Sequence, residues 1–332
     1  MDAVIDSIST VGHYERKEQN TIMNKKILVA VALVTFCGAL LVANLDAAPK
    51  EKIVLKKYPG FKIGILANNF IKPLPLTKDN MKRIMAWTSA NGFAWMEIRD
   101  PRADLTYAEC KELAAYAVAK KIDVIYALNI GFLDPQFDEV FYRGCANAVL
   151  FPGPKLIRTS APGPEFNADP KKSTWTKEEF DKILAVANNA ANVARLVGLK
   201  LVVEHAFEAM QGDGTSSFGM VEIQTKGNTN IGSQYDTANF FAVSRAPVSP
   251  EVAMGYFEKF AKKTYYVHLK TCGKDNVVTD SITDHVFDLG ALFEILAKAK
   301  CNYLGIEIPQ QDKFEDVQAN LRKSAAYLKS KY

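Results

Sequence analysis

The most constraining feature of this chain is a regular alternation of short β-rich runs with helical patterns. Eight runs rich in branched and aromatic residues recur, and segments with apolar residues at i, i+3 and i+4 spacing lie between most of them. Strands that alternate with helices form parallel sheets with right-handed crossovers. Eight such units in roughly 275 residues predict an α/β fold of the (β/α)8 TIM-barrel type, since that fold takes about 250 residues. No glycine-rich phosphate loop follows the first run, which argues against a dinucleotide-binding sheet.

The predicted strands are Phe61–Ala67, Trp95–Arg99, Ile122–Leu128, Lys155–Thr159, Lys200–His205, Gly232–Asp236, Tyr265–Lys270 and Tyr303–Ile308. The predicted helices are Thr77–Asn91, Thr106–Lys120, Pro135–Leu150, Thr176–Val197, Ser249–Lys263, Asp288–Ala299 and Lys313–Lys331. Ser249 and Thr176 are expected to cap two helices at their N-termini. Gly92 and Gly198 follow helices where a left-handed residue ends the last turn.

The N-terminal region has the pattern of an export signal and not of a folded domain. Lys25 and Lys26 precede an apolar run, Ile27–Ala43, and small residues follow up to Ala47. A basic segment, an apolar core and a small-residue cleavage zone indicate a secretory signal peptide. A membrane anchor is the alternative, because the run approaches the length of a membrane span. Acylation of Cys37 would give a lipoprotein, but the bulky Phe36 before it argues against that reading.

These patterns divide the chain into three parts. Residues 1–22 are polar and are interpreted as a non-native or unstructured extension, with Met23 as the true start. Residues 23–47 are the predicted signal peptide, and 48–332 are the predicted single barrel domain. The expected location is periplasmic or secreted, with no stable membrane span after processing.

Composition limits the kinds of site that the chain can build. A formal charge of +4 on 332 residues is not the signature of a nucleic-acid-binding protein. Only four histidines and five cysteines are present, so any metal site must use few of them. Four cysteines remain in the predicted mature chain. The predicted elements place Cys272 and Cys301 at opposite ends of the barrel, and likewise Cys110 and Cys145. We therefore predict four free thiols and no disulfide.

Four consecutive predicted strands carry a polar residue where an active site would lie. Glu204, Asp236, His268 and Glu307 stand in or at the ends of apolar runs. Barrel active sites form at the C-terminal ends of the strands, and a lone buried charge there would be expensive. Three carboxylates and one imidazole are a ligand set for Mn²⁺, Mg²⁺ or Co²⁺, with Zn²⁺ or Fe²⁺ as alternatives. For each residue alone, a salt bridge or a strand-end cap is the simpler reading.

The order of these motifs resembles the xylose-isomerase-like barrels, which are labelled sugar phosphate isomerases/epimerases. The resemblance rests on Glu204, on Asp236 with Asn239 three residues later, on Val267-His268-Leu269-Lys270 and on Gly305-Ile306-Glu307-Ile308, and it covers essentially the whole mature chain. It implies that Glu204, Asp236, His268 and Glu307 bind one divalent metal. It further implies that Glu204 and Glu307 transfer the proton.

The resemblance implies a carbohydrate isomerase or epimerase that abstracts a proton next to a carbonyl through a metal-bound enediolate. Lys270 lies on the strand face of His268, and either stabilises the enediolate or neutralises the acids. Glu97, in a segment similar to the family's second strand, contacts the substrate or is a buried structural carboxylate. Asn239 stands where family epimerases often carry a histidine, so a sugar contact is changed.

Three other features of the sequence concern the substrate, two further histidines and nuclease activity. The glycine-rich segment 207–230 replaces an expected helix, so the substrate cannot be carried over from the family. His205 points away from the ligands in a regular strand, and His285 either reaches the mouth or is solvated. Abasic-site nucleases of related fold use many more histidines for three zinc ions, so that activity is not expected.

The expected partner is a small carbohydrate, with no nucleic acid, and a homo-oligomer is an open option. Export favours extracellular substrates over cytoplasmic sugar phosphates. The first alternative is therefore an exported lyase or hydratase that acts on 3-keto-glycosides with the same site. The second is a carbohydrate-binding barrel without turnover, against which the presence of both Glu204 and Glu307 argues.

Overall fold

A computed structural model describes residues 50–160, 177–204, 228–239, 241, 249–275 and 277–332. Eight parallel strands pair in chain order, and the last pairs with the first, so that the sheet closes into a barrel. They are β1 Lys62–Leu66, β2 Trp95–Arg99, β3 Asp123–Ala127, β4 Leu156–Ser160, β5 Lys200–Glu204, β6 Ile231–Asp236, β7 Thr264–Leu269 and β8 Tyr303–Ile306. The predicted (β/α)8 barrel is confirmed.

The α-helices of these residues follow the strands in the predicted order. They are α1 Lys78–Ala90, α2 Tyr107–Ala119, α3 Phe137–Ala148, α4 Lys177–Leu196, α5 Pro250–Phe260, α6 Leu289–Ala299 and α7 Phe314–Lys331. Ser249 caps α5 as predicted, because its side chain accepts a hydrogen bond from the N–H of Val252. Gly92 and Gly198 have φ of +80° and +77°, the left-handed conformation expected after a helix.

Among the predicted boundaries that differ from the observed ones are the end of β8 and the end of α5. Strand β8 ends at Ile306, so Glu307 follows the strand, although its N–H still donates to the carbonyl of Leu269 at 3.0 Å. Helix α5 ends at Phe260 and continues as a short 3-10 turn, Ala261–Lys263. The predicted extension, signal peptide and most of the glycine-rich segment lie outside the described residues.

Trp95 and Tyr266, which we call the aromatic plug, fill the interior of the barrel below its C-terminal end. Trp95 donates its indole N–H to the carbonyl of Lys62 at 2.9 Å, and its ring meets that of Tyr266 edge-on at 5.8 Å. The inward positions of β1 and β8 next to this ring are Gly64 and Gly305. A Cβ on Gly64 would lie 2.4 Å from the indole, so only glycine leaves room for the tryptophan. The aromatic plug closes the interior of the barrel beneath the polar residues at the strand ends.

The structure also bears on the cysteine prediction. Cys110, Cys145, Cys272 and Cys301 are all buried and unpaired. The prediction of four free thiols is therefore confirmed. Among the residues with described structure, no helix is both long and apolar enough to span a bilayer.

Candidate metal centre at the barrel mouth

The C-terminal ends of β5 to β8 bring the four predicted ligand residues to one side of the barrel mouth. Asp236 pairs with His268 in the register of β6 and β7, and His268 pairs with Gly305 of β8, two residues before Glu307. Glu204 is the last residue of β5. The parallel register thus places these side chains at a similar height, as the sequence pattern predicts.

Backbone donors fix the carboxylate of Asp236. Its Oδ1 accepts hydrogen bonds from the N–H of Ala238 at 2.8 Å and of Asn239 at 3.1 Å. Both donors belong to the turn that follows β6. The second oxygen, Oδ2, is thereby left to face the mouth. Asn239 is buried and supports Asp236 through its backbone, while a sugar contact by its side chain stays a prediction.

The imidazole of His268 is held between two carboxylates. Its Nε2 lies 2.9 Å from Oε2 of Glu97, and its Nδ1 lies 3.0 Å from Oε2 of Glu307. Tyr266 donates its hydroxyl to the same oxygen of Glu97 at 2.7 Å. Metal-bound histidines almost always use their other ring nitrogen in this way, with a carboxylate that fixes the tautomer and the ring orientation. Glu97 therefore leaves Nδ1 as the nitrogen that faces the mouth.

Asp236, His268 and Glu307 form the candidate ligand cluster. One ligand atom from each lies within 4.8 Å of the others. Within the protein, Oδ2 of Asp236 contacts the ammonium of Lys270 and Nδ1 of His268 contacts Oε2 of Glu307, so the ligand atoms converge on one point. Two carboxylate oxygens and one imidazole nitrogen, with room for other ligands, are donors that a divalent metal ion accepts.

Lys270 balances the charge of this cluster. Its Nζ lies 2.9 Å from Oδ2 of Asp236 and 3.1 Å from Oε1 of Glu307, so the ammonium bridges the two acids. Its backbone N–H donates to Oγ1 of Thr237 at 2.9 Å, which ties the end of β7 to the turn after β6. This arrangement supports the interpretation of Lys270 as the neutralising cation. A contact between Lys270 and substrate stays a prediction.

Glu204 has a different partner from the one that the sequence predicts. Its Oε2 forms an ion pair with Nη2 of Arg158 on β4, and it is not part of the three-residue cluster. Arg158 also approaches Glu97, with Nη1 3.8 Å from Oε1. Metal ligation by Glu204 stays a prediction, and the structure adds an arginine that holds this carboxylate at the edge of the site.

Burial and neighbouring charges together set the pKa values of the carboxylates at the mouth. Burial raises the pKa of Glu97, but the neighbouring His268 and Arg158 outweigh it and bring the pKa down to about 2. Burial likewise opposes ionisation of Glu307, yet Lys270 and His268 hold the pKa of Glu307 well below its usual range. Burial raises the pKa of Asp236. Glu307 is thus ionised at neutral pH.

Two of the singled-out residues lie aside from the cluster. Glu97 is buried beneath His268, which supports the interpretation of a structural carboxylate, while a contact between Glu97 and substrate stays a prediction. His285 is partly buried: its ring packs on Phe287 with centroids 4.1 Å apart, and its Nδ1 accepts from the N–H of Phe287 at 3.3 Å. His205 lies outside the described residues.

Sequence reasoning missed two arginines at the mouth. Arg158 and Arg99 both point inward from apolar strands, and Arg99 stands two residues after Glu97 and thus on the same strand face. That alternation was the available signal for Arg99. The pairing of Arg158 with Glu204 had no signal in the sequence, because it depends on how the side chains of the neighbouring strands β4 and β5 are oriented.

Comparison with known proteins decides the family. The sequence profile of the xylose isomerase-like TIM barrels matches residues 85–331, three quarters of the chain. The protein is a member of this family. None of the curated proteins matches the sequence significantly.

Solved structures agree with this xylose isomerase-like TIM barrel in fold. A xylose isomerase-like protein from Mycobacterium smegmatis in complex with magnesium has a TM-score of 0.59 at 13% identity, over 81% of this chain and 97% of that one. D-allulose 3-epimerase from Methylomonas has a TM-score of 0.59 at 12% identity, over 85% and 96%. The 3-keto-D-glucoside 4-epimerase from E. coli has a TM-score of 0.58 at 15% identity, over 81% and 99%.

Proposed function

We propose that this protein is a divalent-metal-dependent carbohydrate isomerase or epimerase that moves a proton on a carbon next to a carbonyl. The proposed ligands are Asp236, His268 and Glu307, with Glu204 as the fourth. The observation that carries the proposal is the orientation of His268: buried Glu97 takes one ring nitrogen and leaves the other beside two carboxylates. The epimerases among the similar structures support a sugar as the substrate.

A divalent ion in this cluster would polarise a carbonyl and the neighbouring hydroxyl, which acidifies the proton between them. The residues themselves supply the proton transfer. Glu307 is ionised and is held by His268 and Lys270, so it can take up a proton from the substrate. Glu204 approaches from β5 on the other side of the cluster and is oriented by Arg158. Two carboxylates on different sides of one carbon can remove and return a proton with inversion.

The test is solvent-deuterium exchange together with metal analysis of the purified protein. We expect a stoichiometric divalent ion, with Mn²⁺, Mg²⁺ or Co²⁺ restoring activity after chelation, and deuterium incorporation into a ketose panel. Glu307→Gln should slow exchange by about a hundredfold to ten-thousandfold, the usual contribution of a general base. Glu112→Gln is the matched control, because Glu112 is exposed and pairs only with surface lysines. Equal exchange in the Glu307→Gln and wild-type proteins would refute the proton-transfer role.

A second candidate is a lyase or hydratase that acts on 3-keto-glycosides with the same residues. The predicted export signal favours it, because such glycosides are met outside the cytoplasm more readily than sugar phosphates. The similarity to a 3-keto-D-glucoside 4-epimerase supports a keto-glycoside as the substrate. Product analysis separates the candidates, since epimerisation keeps the glycoside intact and elimination releases the aglycone.

Export is itself part of the proposal. If residues 23–47 are a signal peptide, the protein recovered from the periplasm or the medium should begin near residue 48. N-terminal sequencing checks this. A protein that retains residues 23–47 would contradict export by cleavage, and stoichiometric metal without exchange into any substrate would support a binding barrel instead of an enzyme.

A further inference from the structure

The side of the mouth opposite the ligand cluster carries an arginine that has no ion-pair partner among the residues that the structure describes. Arg99 ends β2 and points inward, two residues beyond Glu97. No carboxylate of the described residues lies within 4.0 Å of its guanidinium, whereas Arg102, three residues later, pairs with Asp134 at 2.5 Å. Arg99 is partly buried, and burial followed by the nearby charge of Arg158 lowers its pKa. A partly buried cation beside a second cation costs free energy unless an anion joins it.

The second arginine contributes unused donors at the same level of the barrel. Arg158 is fully buried, and among the described residues its Nε and Nη1 have no hydrogen-bond acceptor, although Nη1 lies 3.8 Å from Oε1 of Glu97. Its backbone pairs with Ala127 of β3, which in turn pairs with Arg99 of β2. The two arginines are therefore two strands apart, about 9–10 Å between backbones. The inward residue between them on β3 is Ala127, whose side chain is only a methyl group.

The charge balance of the mouth indicates the charge of the missing group. Among the described residues in the strands or directly after them, four inward carboxylates, Glu97, Glu204, Asp236 and Glu307, face three inward cations at the mouth, Arg99, Arg158 and Lys270. A divalent ion on a neutral His268 would leave one positive charge in excess. A singly charged anion restores neutrality, while a phosphate, with a charge near −2 at pH 7, exceeds it.

We propose that Arg99 and the free N–H groups of Arg158 bind a carboxylate of the substrate, so that the substrate class is a keto sugar acid. Guanidinium groups match the two oxygens of a carboxylate in a planar, two-bond arrangement. The carboxylate would lie on the β2–β4 side while the reacting carbons lie over the ligand cluster on the β5–β8 side. This assignment rests on the proposed function, and it adds the part of the substrate that fixes its orientation.

Titration calorimetry on the full-length, metal-loaded protein tests the assignment with three probes: D-fructuronate, D-fructose and D-fructose 6-phosphate. A charge-assisted contact of this kind is worth about tenfold to a hundredfold in affinity, and we expect D-fructuronate to bind tighter than D-fructose by that factor. Arg99→Gln should abolish the difference and leave D-fructose binding unchanged. Arg99→Lys should recover part of it, because an ammonium keeps the charge without the two-bond geometry.

Two further variants keep the test independent of folding defects. Ala127→Leu places a larger side chain between the two arginines without a change of charge, and should weaken D-fructuronate binding selectively. Arg143→Gln is the control, because Arg143 is exposed on α3 and pairs with Glu139. Thermal unfolding checks that each variant is folded.

The outcomes separate this assignment from the proposed function. Equal loss of both sugars in Arg99→Gln, or equal affinity of the wild type for D-fructuronate and D-fructose, would overturn the carboxylate site even if ketoses exchange deuterium. Tightest binding of D-fructose 6-phosphate would overturn it in favour of a phosphate site. Arg99-dependent binding of D-fructuronate without any proton exchange would support the carboxylate site and remove the isomerase proposal.

Discussion

The two ends of the barrel carry similar charged clusters in opposite surroundings. At the N-terminal end, Lys62 lies 2.6 Å from Asp123 and 2.9 Å from the hydroxyl of Tyr303, and the lysine and aspartate side chains are 46% and 26% exposed. At the mouth, Lys270 bridges Asp236 and Glu307, and these side chains are 12%, 1% and 14% exposed. Both clusters join residues of three strands, and the aromatic plug separates them.

The solvent exposure of a charged cluster, and not its residue types, sets how much its ion pairs contribute to stability. Water screens the N-terminal cluster, so its ion pair serves mainly as a link between β1 and β3. At the mouth, water is largely excluded, and each charge depends on its partners. We therefore expect substitutions of the charged residues at the mouth to cost more stability than substitutions at the N-terminal end.

The largest expected effect on stability is that of removing Arg158. In Arg158→Met, the buried Glu97 and the neighbouring Glu204 lose their guanidinium partner. Breaking a buried pair usually costs about 3–5 kcal/mol, and we expect about 3 kcal/mol because Glu204 is partly exposed. Urea unfolding at pH 7 measures it. A loss no larger than that of a surface substitution such as Arg143→Met would show that the mouth is as well screened as the N-terminal end.

The second effect concerns pH and His285, which packs beside the mouth against Phe241 and Phe287. Burial lowers the pKa of His285 from 6.5 to about 4. The unfolded chain therefore binds a proton below pH 6.5 that the folded protein refuses until about pH 4, so stability falls between these values. The loss should be about 2 kcal/mol, after allowance for the partial exposure of the ring.

His285→Asn tests this, because the amide oxygen can replace Nδ1 as the acceptor for the N–H of Phe287. Other groups titrate in the same range, so the measured quantity is the difference between the wild type and the variant in unfolding free energy at pH 7 and at pH 4. We expect the variant to lose less stability on acidification. Parallel pH profiles for both proteins would contradict the assignment of a buried, neutral imidazole.

The third effect is on metal affinity. Glu97→Gln removes the charge behind His268 while it keeps the size of the side chain. Loss of such a supporting carboxylate usually weakens metal binding about tenfold to a hundredfold. Calorimetric titration with Mn²⁺ measures it, and Glu109→Gln, at the exposed N-terminal turn of α2, is the control. Unchanged affinity in Glu97→Gln would mean that His268 keeps its orientation without Glu97, or is no ligand.

The strand bounds and the positions of several site residues could be predicted from the sequence alone. The bounds of β2 were predicted to the residue, because apolar alternation and the flanking turns mark a strand clearly. The positions of Asp236, His268 and Glu307 followed from the rule that a barrel gathers the ends of its strands. That rule places residues at one mouth, but it does not say which charges pair across it.

The remainder depended on side-chain contacts that no local pattern encodes. Glu204 pairs with Arg158 and Glu97 supports His268 because closure of the barrel brings β4 beside β5 and β2 opposite β7. That Arg99 has no ion-pair partner among the described residues is likewise visible only in the tertiary structure. Sequence periodicity sets the inward face of each strand, whereas partner choice is fixed by the tertiary structure.

The smallest expected effect lies at the N-terminal end. Lys62→Met removes the partner of Asp123, but the lysine side chain is nearly half exposed, so the loss should stay below about 1 kcal/mol. It should shrink further as ionic strength rises, because salt screens exposed charges. Urea unfolding at low and high salt measures both quantities, and metal binding should be unchanged. A loss as large as that of Arg158→Met, independent of salt, would mean that the ion pair at the N-terminal end is as strongly coupled as the mouth, and that exposure does not distinguish the two ends of the barrel.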